Sequence, residues 1–355
     1  MTYKENLYFI ACCLSISSNE KNKEKVISQL NSSNIEWDKI VKISSSHYVL
    51  PALYYNLENQ GLLSYLPDDL VNYMSNISEI NRERNKKIIQ QVIKLNNLLL
   101  TNNIYPIFFK GAGNLFANIY NDITERMIGD IDFIVSAKSY TKAINILYKD
   151  GYKEVEKVDY ESPFDKHHPR MVKEGCIAAI EIHKELVSYE YNKEFNYSMV
   201  DKDKQVFEKV TVFSYENKLN MSIISSQIND NGYYYKNLIL RNAYDVLTLS
   251  KFTDTVQAIS KLNKMKHPLN CYLLSCYEIF DKLESIKFIP SQKSTSYLVS
   301  FKYQLLNPKK TARKHKMIMI LIYLKHLYHL FYMSIFYKKY RVWLLRRLRD
   351  KKWLK

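Results

Sequence analysis

Between Phe108 and Val135 the chain runs FFKGAGNLFANIYNDITERMIGDIDFIV: a short apolar run, a Lys-Gly turn, and two aspartates set into a second apolar run. No other stretch constrains the fold as much, because short continuous apolar runs punctuated by glycine predict buried strands. Successive strand side chains alternate between faces, so Asp130 and Asp132 point to one side while Ile131 and Phe133 point to the other. Carboxylates in an apolar strand are costly unless something compensates them. Converging carboxylate oxygens suit Mg²⁺, a hard cation that also takes phosphate oxygens. Glu181, in the equally apolar AAIEIH, offers a third carboxylate from a neighbouring strand, with His183 on the same face.

At 355 residues, 46% of them hydrophobic and 25% charged, the chain is globular and long enough for two or three packed units around one site. Cys12, Cys13, Cys176, Cys271 and Cys276 show neither a CxxC nor a Cys/His ligand spacing, and an odd number argues against a disulfide framework. A reducing cytoplasm is the expected location. The apolar patch from Leu7 to Ile16 predicts a buried first helix rather than a signal peptide, since an acid precedes it and no small-residue cleavage site follows.

Alternating patterns divide the chain into a helical region over 1–103, an α/β core over 104–214, a second helical region over 215–308 and a basic, aromatic-rich helical tail over 309–355. In the first region, Ile35 to His47, Ala52 to Asn59 and a long stretch from Pro67 read as helices, the last interrupted by polar Asn81 to Lys87. The core predicts strands at Ile104–Phe109, Ile131–Val135, Tyr152–Val155 and Ile177–His183, with a helix capped by Ser136 and ended by Gly151. Arg241 and Asp245, four apart on a later helix, are spaced to pair.

The formal charge of +16 is concentrated in the tail, where Asp350 is the one acid among many lysines and arginines; the rest of the chain is nearly neutral. Tyr323, Tyr328, Phe331, Tyr332, Phe336, Tyr337, Tyr340, Trp343 and Trp353 are interleaved with those charges. Three readings follow, in this order: a closing hairpin packed on the body, peripheral contact with an anionic membrane, and an RNA surface. The apolar run Met317–Tyr337 has membrane length, but Lys325 near its middle would cost about 3 kcal/mol at the bilayer centre, so a span is not the favoured reading.

The chain has 7 glycines, and Gly111, Gly113 and Gly129 fall in the central window, where backbone must approach something closely. A strand, a Lys-Gly turn and a helix start offer backbone N–H groups to an anion, and Lys110 adds a point charge. Neither GxxxxGK[ST] nor GxGxxG with a ribose-binding acid is present. Three carboxylates beside a phosphate-cradling turn suit phosphoryl or nucleotidyl transfer assisted by two metal ions, with Glu181 also receiving the proton of the attacking hydroxyl. His183 and His168 are candidates for meeting the acceptor or supporting a ligand, and His167 and Arg170 lie in the same DKHHPRM loop.

KGAGNLFANIY, ERMIGDIDFIV and IEIHKEL, in that order, resemble the uncharacterised bacterial nucleotidyltransferase family, a branch of the DNA polymerase beta-like superfamily. The likeness runs from WDKIVKISSSHYVLPALYYNL to RNAYDVLTL, roughly Trp37 to Leu249, and does not reach the tail. It implies an α+β fold, a small mixed β-sheet nucleotidyltransferase core flanked by N-terminal and C-terminal helical regions. It also implies an NTP co-substrate, metal ligands at Asp130, Asp132 and Glu181, and a triphosphate facing Lys110, Gly111 and Arg126. Lys110-Gly111 stands where the wider superfamily has Gly-Ser, and the gap to the aspartates is longer.

The expected function is an active Mg²⁺-dependent enzyme, with Mn²⁺ the alternative ion, that moves an NMP group from an NTP to an unidentified acceptor. A small molecule or glycan precursor leads as acceptor; toxin-like transfer to tRNA or protein follows. The reading from a different class is a non-catalytic protein that binds membrane or nucleic acid through its tail.

Overall fold

The computed structural model describes residues 1–32, 35–155 and 165–349. Before the sheet come α1 (Tyr3–Leu14), α2 (Glu20–Asn31), α3 (Trp37–Ser46), α4 (Leu50–Asn59) and α5 (Asp68–Leu100). Thr2 and Glu5 form a capping box that starts α1, and Leu7, Phe9 and Ile10 bury its apolar side, so the patch at the N-terminus is a core helix.

Next along the chain are β1 (Ile107–Phe109), α6 (Lys110–Phe116), β2 (Asp130–Ile134), α7 (Tyr140–Lys149), β3 (Lys153–Glu154), β4 (Met171–Val172), β5 (Ala179–His183), α8 (Tyr197–Lys202), β6 (Gln205–Phe207) and β7 (Val210–Val212). They build one mixed sheet in the order β3-β4-β5-β2-β1-β7-β6. β2 lies antiparallel to β1 and parallel to β5, which makes it a central strand with a neighbour on each side. Phe108, Ile131, Phe133, Ile180 and Ile182 are fully buried, as expected of central strands with one face in the core.

Several boundaries differ from the sequence reading: β1 begins at Ile107 rather than Ile104, β2 spans Asp130–Ile134 rather than Ile131–Val135, and β5 begins at Ala179 rather than Ile177. Helix α7 begins at Tyr140, because Ser136 bonds the Ser139 hydroxyl at 3.0 Å instead of capping the backbone. Val155 ends no strand, since β3 covers only Lys153 and Glu154. The β6–β7 hairpin was not anticipated: its turn residues Glu208 and Lys209 take φ of 49° and 70°, conformations usually announced by Asn-Gly.

Helix α5 is continuous for 33 residues, about 50 Å, despite its polar interruption. The interruption is its docking face. Asn81 donates to the Thr124 carbonyl at 2.7 Å, Asn85 to those of Ile123 and Arg126 at 2.6 and 2.8 Å, and Arg84 to those of Ile128 and Gly129. Two turns on, Gln91 bonds both backbone groups of Ala178, just before β5. The Asn81, Arg84 and Asn85 bonds satisfy carbonyls of the loop that leads into β2, which has no ladder partners of its own.

After the sheet come α9 (Tyr215–Ile224), α10 (Gly232–Tyr235), α11 (Leu240–Leu249), α12 (Thr255–Ile259), α13 (Lys266–Ile279), α14 (Gln292–Leu306), α15 (Pro308–Phe336) and α16 (Lys338–Arg349). A single apolar core extends from Leu7 of α1 through the strands to Phe301 of α14. The tail forms the expected hairpin, but its own small cluster of Leu330, Met333, Tyr340 and Leu344 is separate from that core. Much of its apolar surface stays uncovered among the described residues: Met317, Leu321, Tyr328 and Ile335 are exposed. Asp350 and Trp353 lie outside the described residues.

Candidate active site

The parallel β2–β5 ladder sets the site. Asp132 pairs in register with Glu181 and Ile134 with His183, so both acids and the imidazole project from the same sheet face. Ligand atoms of Asp132, Glu181 and His183 all lie within 4.8 Å of one another, an arrangement able to hold a metal ion. His183 Nε2 is 3.0 Å from Asp132 Oδ1 and 3.6 Å from Glu181 Oε2. Asp130 is on the same strand face, two residues earlier, but its carboxylate pairs with Arg170, whose Nε is also 3.8 Å from Glu181. Among the described residues the compact ligand group is Asp132, Glu181 and His183; Asp130, the other expected ligand, stands beside it on Arg170.

Cations surround these acids. Lys110 Nζ reaches Asp132 Oδ1 at 2.5 Å. Burial alone would raise the Asp132 carboxyl, but Lys110 and His183 outweigh it and hold the carboxyl well below the usual range. Burial would also lower the Lys110 ammonium, yet Asp132, Glu181 and Asp230 together keep it raised. Asp130 shows the reverse balance: burial raises its carboxyl despite the Arg170 charge.

The DKHHPRM loop reaches the site through Lys166, His167 and Arg170. The Lys166 carbonyl accepts the N–H of Lys184 at 2.9 Å, and the His168 N–H bonds the Ile182 carbonyl at 2.9 Å, which lays the segment along β5. His167 then lies tilted against His183, ring centroids 4.9 Å apart, with its Nε2 3.9 Å from Glu181. Lys166 is pushed down to about 8, first by burial and then by the Lys110 charge. His168, expected beside the acceptor, faces away: its Nε2 meets Tyr148 and Glu154, each at 3.1 Å. Alternation along an extended segment explains why adjacent histidines part company. Sequence reasoning named the loop but not Lys166, nor Asp230, whose carboxyl burial raises against the Lys166 and Lys110 charges.

The glycines serve packing. A Cβ on Gly113 would sit 2.7 Å from the Phe108 carbonyl oxygen and one on Gly111 2.9 Å from Ile128 Cγ1, so each lets α6 lie against its neighbours. Around Gly129 a Cβ would meet nothing within 4 Å, leaving the backbone before Asp130 open. Lys110 has φ of 53°, the left-handed region that non-glycine residues seldom occupy. A strained residue at the start of α6, held by an ion pair to Asp132, is characteristic of functional sites.

Arg126 does not face the site. Its guanidinium is buried against Asp245, Nε to Oδ1 at 2.8 Å and Nη2 to Oδ2 at 3.0 Å, while Nη1 donates to the Met127 carbonyl. This planar two-bond match uses the donors that would otherwise meet a phosphate. Asp245 also accepts from the Tyr120 hydroxyl at 2.6 Å. The expected Arg241–Asp245 helix pair does not form; Arg241 lies over the Tyr48 ring, 4.9 Å from its centroid. The i,i+4 spacing was real, but a buried arginine from another segment competes better for the carboxylate than one on the same helix face.

A mixed sheet with acids paired across two central strands, beside a Lys-Gly turn, defines a nucleotidyltransferase-like α+β protein. The chain belongs to the uncharacterised nucleotidyltransferase family, whose model matches residues 33–280. That match takes in the whole sheet and stops short of the tail. Among curated proteins, none matches the chain. Solved structures with similarity include an antigenic nucleotidyltransferase-like protein from Paracoccidioides brasiliensis, 15% identical over 58% of this chain and 95% of that one, TM-score 0.37. A candidate nucleotidyltransferase from H. pylori is 12% identical over 64% of this chain and 96% of that one, TM-score 0.32.

Proposed function

We propose that the chain is a Mg²⁺-dependent nucleotidyltransferase that joins an NMP group from an NTP to an acceptor hydroxyl or phosphate, releasing pyrophosphate, with a small molecule or glycan precursor as acceptor. The observation that carries this reading is the in-register pairing of Asp132 with Glu181, with His183 completing a ligand group within 4.8 Å. The donor set fits a divalent cation, since two carboxylates and an imidazole supply anionic oxygens and a nitrogen at one point; Asp130 adds an oxygen once Arg170 turns from it. Asp132, Glu181 and His183 would hold the ion, with Asp130 joining them. When bound, the cation lowers the pKa of the attacking hydroxyl and neutralises the departing pyrophosphate, and Mn²⁺ has the same chemistry.

The residues of the chain account for the rest. Glu181, half-buried beside His167 and His183, receives the acceptor proton as the acceptor oxygen bonds the α-phosphorus and the bond to pyrophosphate breaks. Lys110, and Lys166 beside it, supply positive charge for the triphosphate. Arg170, half-exposed over Asp130 and Glu181, is free to swing to a phosphate oxygen. The backbone at Gly129 leaves room for the donor.

The deciding experiment measures Mg·NTP binding and pyrophosphate release for the wild type and for Asp130→Asn/Asp132→Asn. The proposal expects tight Mg-dependent binding and acceptor-dependent pyrophosphate release by the wild type, both lost in the double variant. Equal binding by the double variant, together with no pyrophosphate from the wild type across sugars, sugar phosphates and other hydroxyl acceptors, rejects it.

A further inference from the structure

The 29-residue helix α15 presents an apolar stripe that nothing among the described residues covers. Met317, Leu321, Leu324, Tyr328, Phe331 and Ile335 recur at three- and four-residue intervals, so they share one helix face about 27 Å long. All six are more than half exposed, from Phe331 at 51% to Tyr328 at 73%. The contacts that anchor the helix lie on its opposite side: His315 to the Tyr235 carbonyl at 2.9 Å, and Leu330 and Met333 against Tyr340 and Leu344 of α16. Toward the N-terminus the stripe continues into Lys310, Arg313 and Lys314, all exposed. Helix α16 adds exposed Val342, Leu345 and Leu348 beside exposed Arg341, Arg346 and Arg349.

We propose that this hairpin docks the enzyme flat on an anionic phospholipid surface, with the α15 stripe in the acyl boundary and the flanking cations on the headgroups. Apolar area this extended is unusual on a soluble monomer and marks an interaction surface. The concentration of positive charge at both ends of the stripe selects the partner, because a negative surface gains from each cation it meets. A second copy of the chain would bring like charge against like. A single nucleic-acid strand would want cations along its path, yet between Lys316 and Lys338 the described stretch offers Lys325 alone from the lysines and arginines, and four of the six stripe residues are aliphatic. By length and composition α15 could cross a bilayer. Lys325 in mid-run, 3.8 Å from Glu190 of the body, instead keeps one side of the helix at the protein surface.

Co-flotation of the full chain with phosphatidylcholine vesicles, with and without phosphatidylglycerol, tests this. The expected result is binding to the anionic vesicles alone, weakened by salt and unaffected by excess RNA. Leu321→Glu/Leu324→Glu should lower the partition coefficient at least about a hundredfold, because two leucine side chains leave the acyl boundary and two carboxylates meet an anionic surface. Lys310→Glu/Arg313→Glu/Lys314→Glu should lower it roughly a hundredfold. Circular dichroism and an unchanged elution volume confirm that these exposed substitutions leave the fold intact. Several results overturn the proposal: no preference for anionic vesicles, binding that the stripe variants leave unchanged, RNA capture without vesicle binding, a stripe-dependent dimer without vesicle binding, or vesicle-bound protein that resists carbonate extraction as a span would.

Discussion

Asp132 and Glu181 stand directly opposite each other on parallel strands β2 and β5, so the backbone ladder, not a loop, sets the spacing of the two central acids. Groups mounted on neighbouring central strands hold their geometry better than groups on loops. Glu181→Gln keeps the shape and removes the proposed base. Its expected effect is a fall in kcat of about 10²–10⁴-fold with the unfolding midpoint unchanged, read by pyrophosphate release and thermal denaturation.

Arg170 competes with any cation for Asp130 and Glu181. Arg170→Ala removes a half-exposed side chain, so stability should change by no more than about 0.5 kcal/mol. Affinity for Mn²⁺ or Mg²⁺ in the absence of nucleotide should rise, while affinity for the NTP should fall. Calorimetric titration separates the two; unchanged metal affinity would mean that Asp130 takes no part in ion binding.

The buried Arg126–Asp245 pair joins the loop before β2 to α11. Asp245→Ala leaves the guanidinium buried without its partner and should cost about 3–5 kcal/mol in urea denaturation. A variant of normal stability that had lost only nucleotide binding would return Arg126 to the triphosphate role that its place in the sequence suggested.

His47 couples the N-terminal helices to α11, accepting the Leu240 N–H at Nδ1 and meeting the Tyr3 hydroxyl at Nε2, each at 3.1 Å. Burial pushes its pKa down to about 4 from 6.5. The unfolded chain therefore takes up this proton first as pH falls, so the stabilisation is complete above about pH 6.5 and is lost on the way to pH 4, by up to about 3 kcal/mol. His47→Gln should flatten that acid limb in a series of denaturation curves.

Gly113→Ala and Gly129→Ala separate packing from ligand contact. The first drives a methyl into the Phe108 carbonyl oxygen, at 2.7 Å, and should cost about 1–3 kcal/mol. The second meets open space, so any loss it causes should show in NTP affinity while the melting temperature stays put.

Much of the core was legible in the sequence because its signals are local. The strands at Ile107–Phe109, Asp130–Ile134 and Ala179–His183 follow from apolar runs, and the shared face of Asp130, Asp132, Glu181 and His183 follows from alternation. The β6–β7 hairpin was invisible because Glu208 and Lys209 make its turn without glycine. Helix α5 looked broken because a polar patch that docks on loop carbonyls has the same composition as one that faces water.

By itself, then, the sequence determined which way the strand side chains point, and so that Asp130 shares a face with Asp132 and Glu181 with His183, since period and residue type need no tertiary contact to act. Only the tertiary structure decided how the charges pair. Lys110 and Arg170 went to the site acids, Arg126 to Asp245, and His167 rather than His168 to Glu181. It also left the apolar stripe of α15 outward. The reason is physical: ion pairing and desolvation depend on distance in space, and in a folded chain the nearest opposite charge to Asp245 lies 119 positions away rather than four.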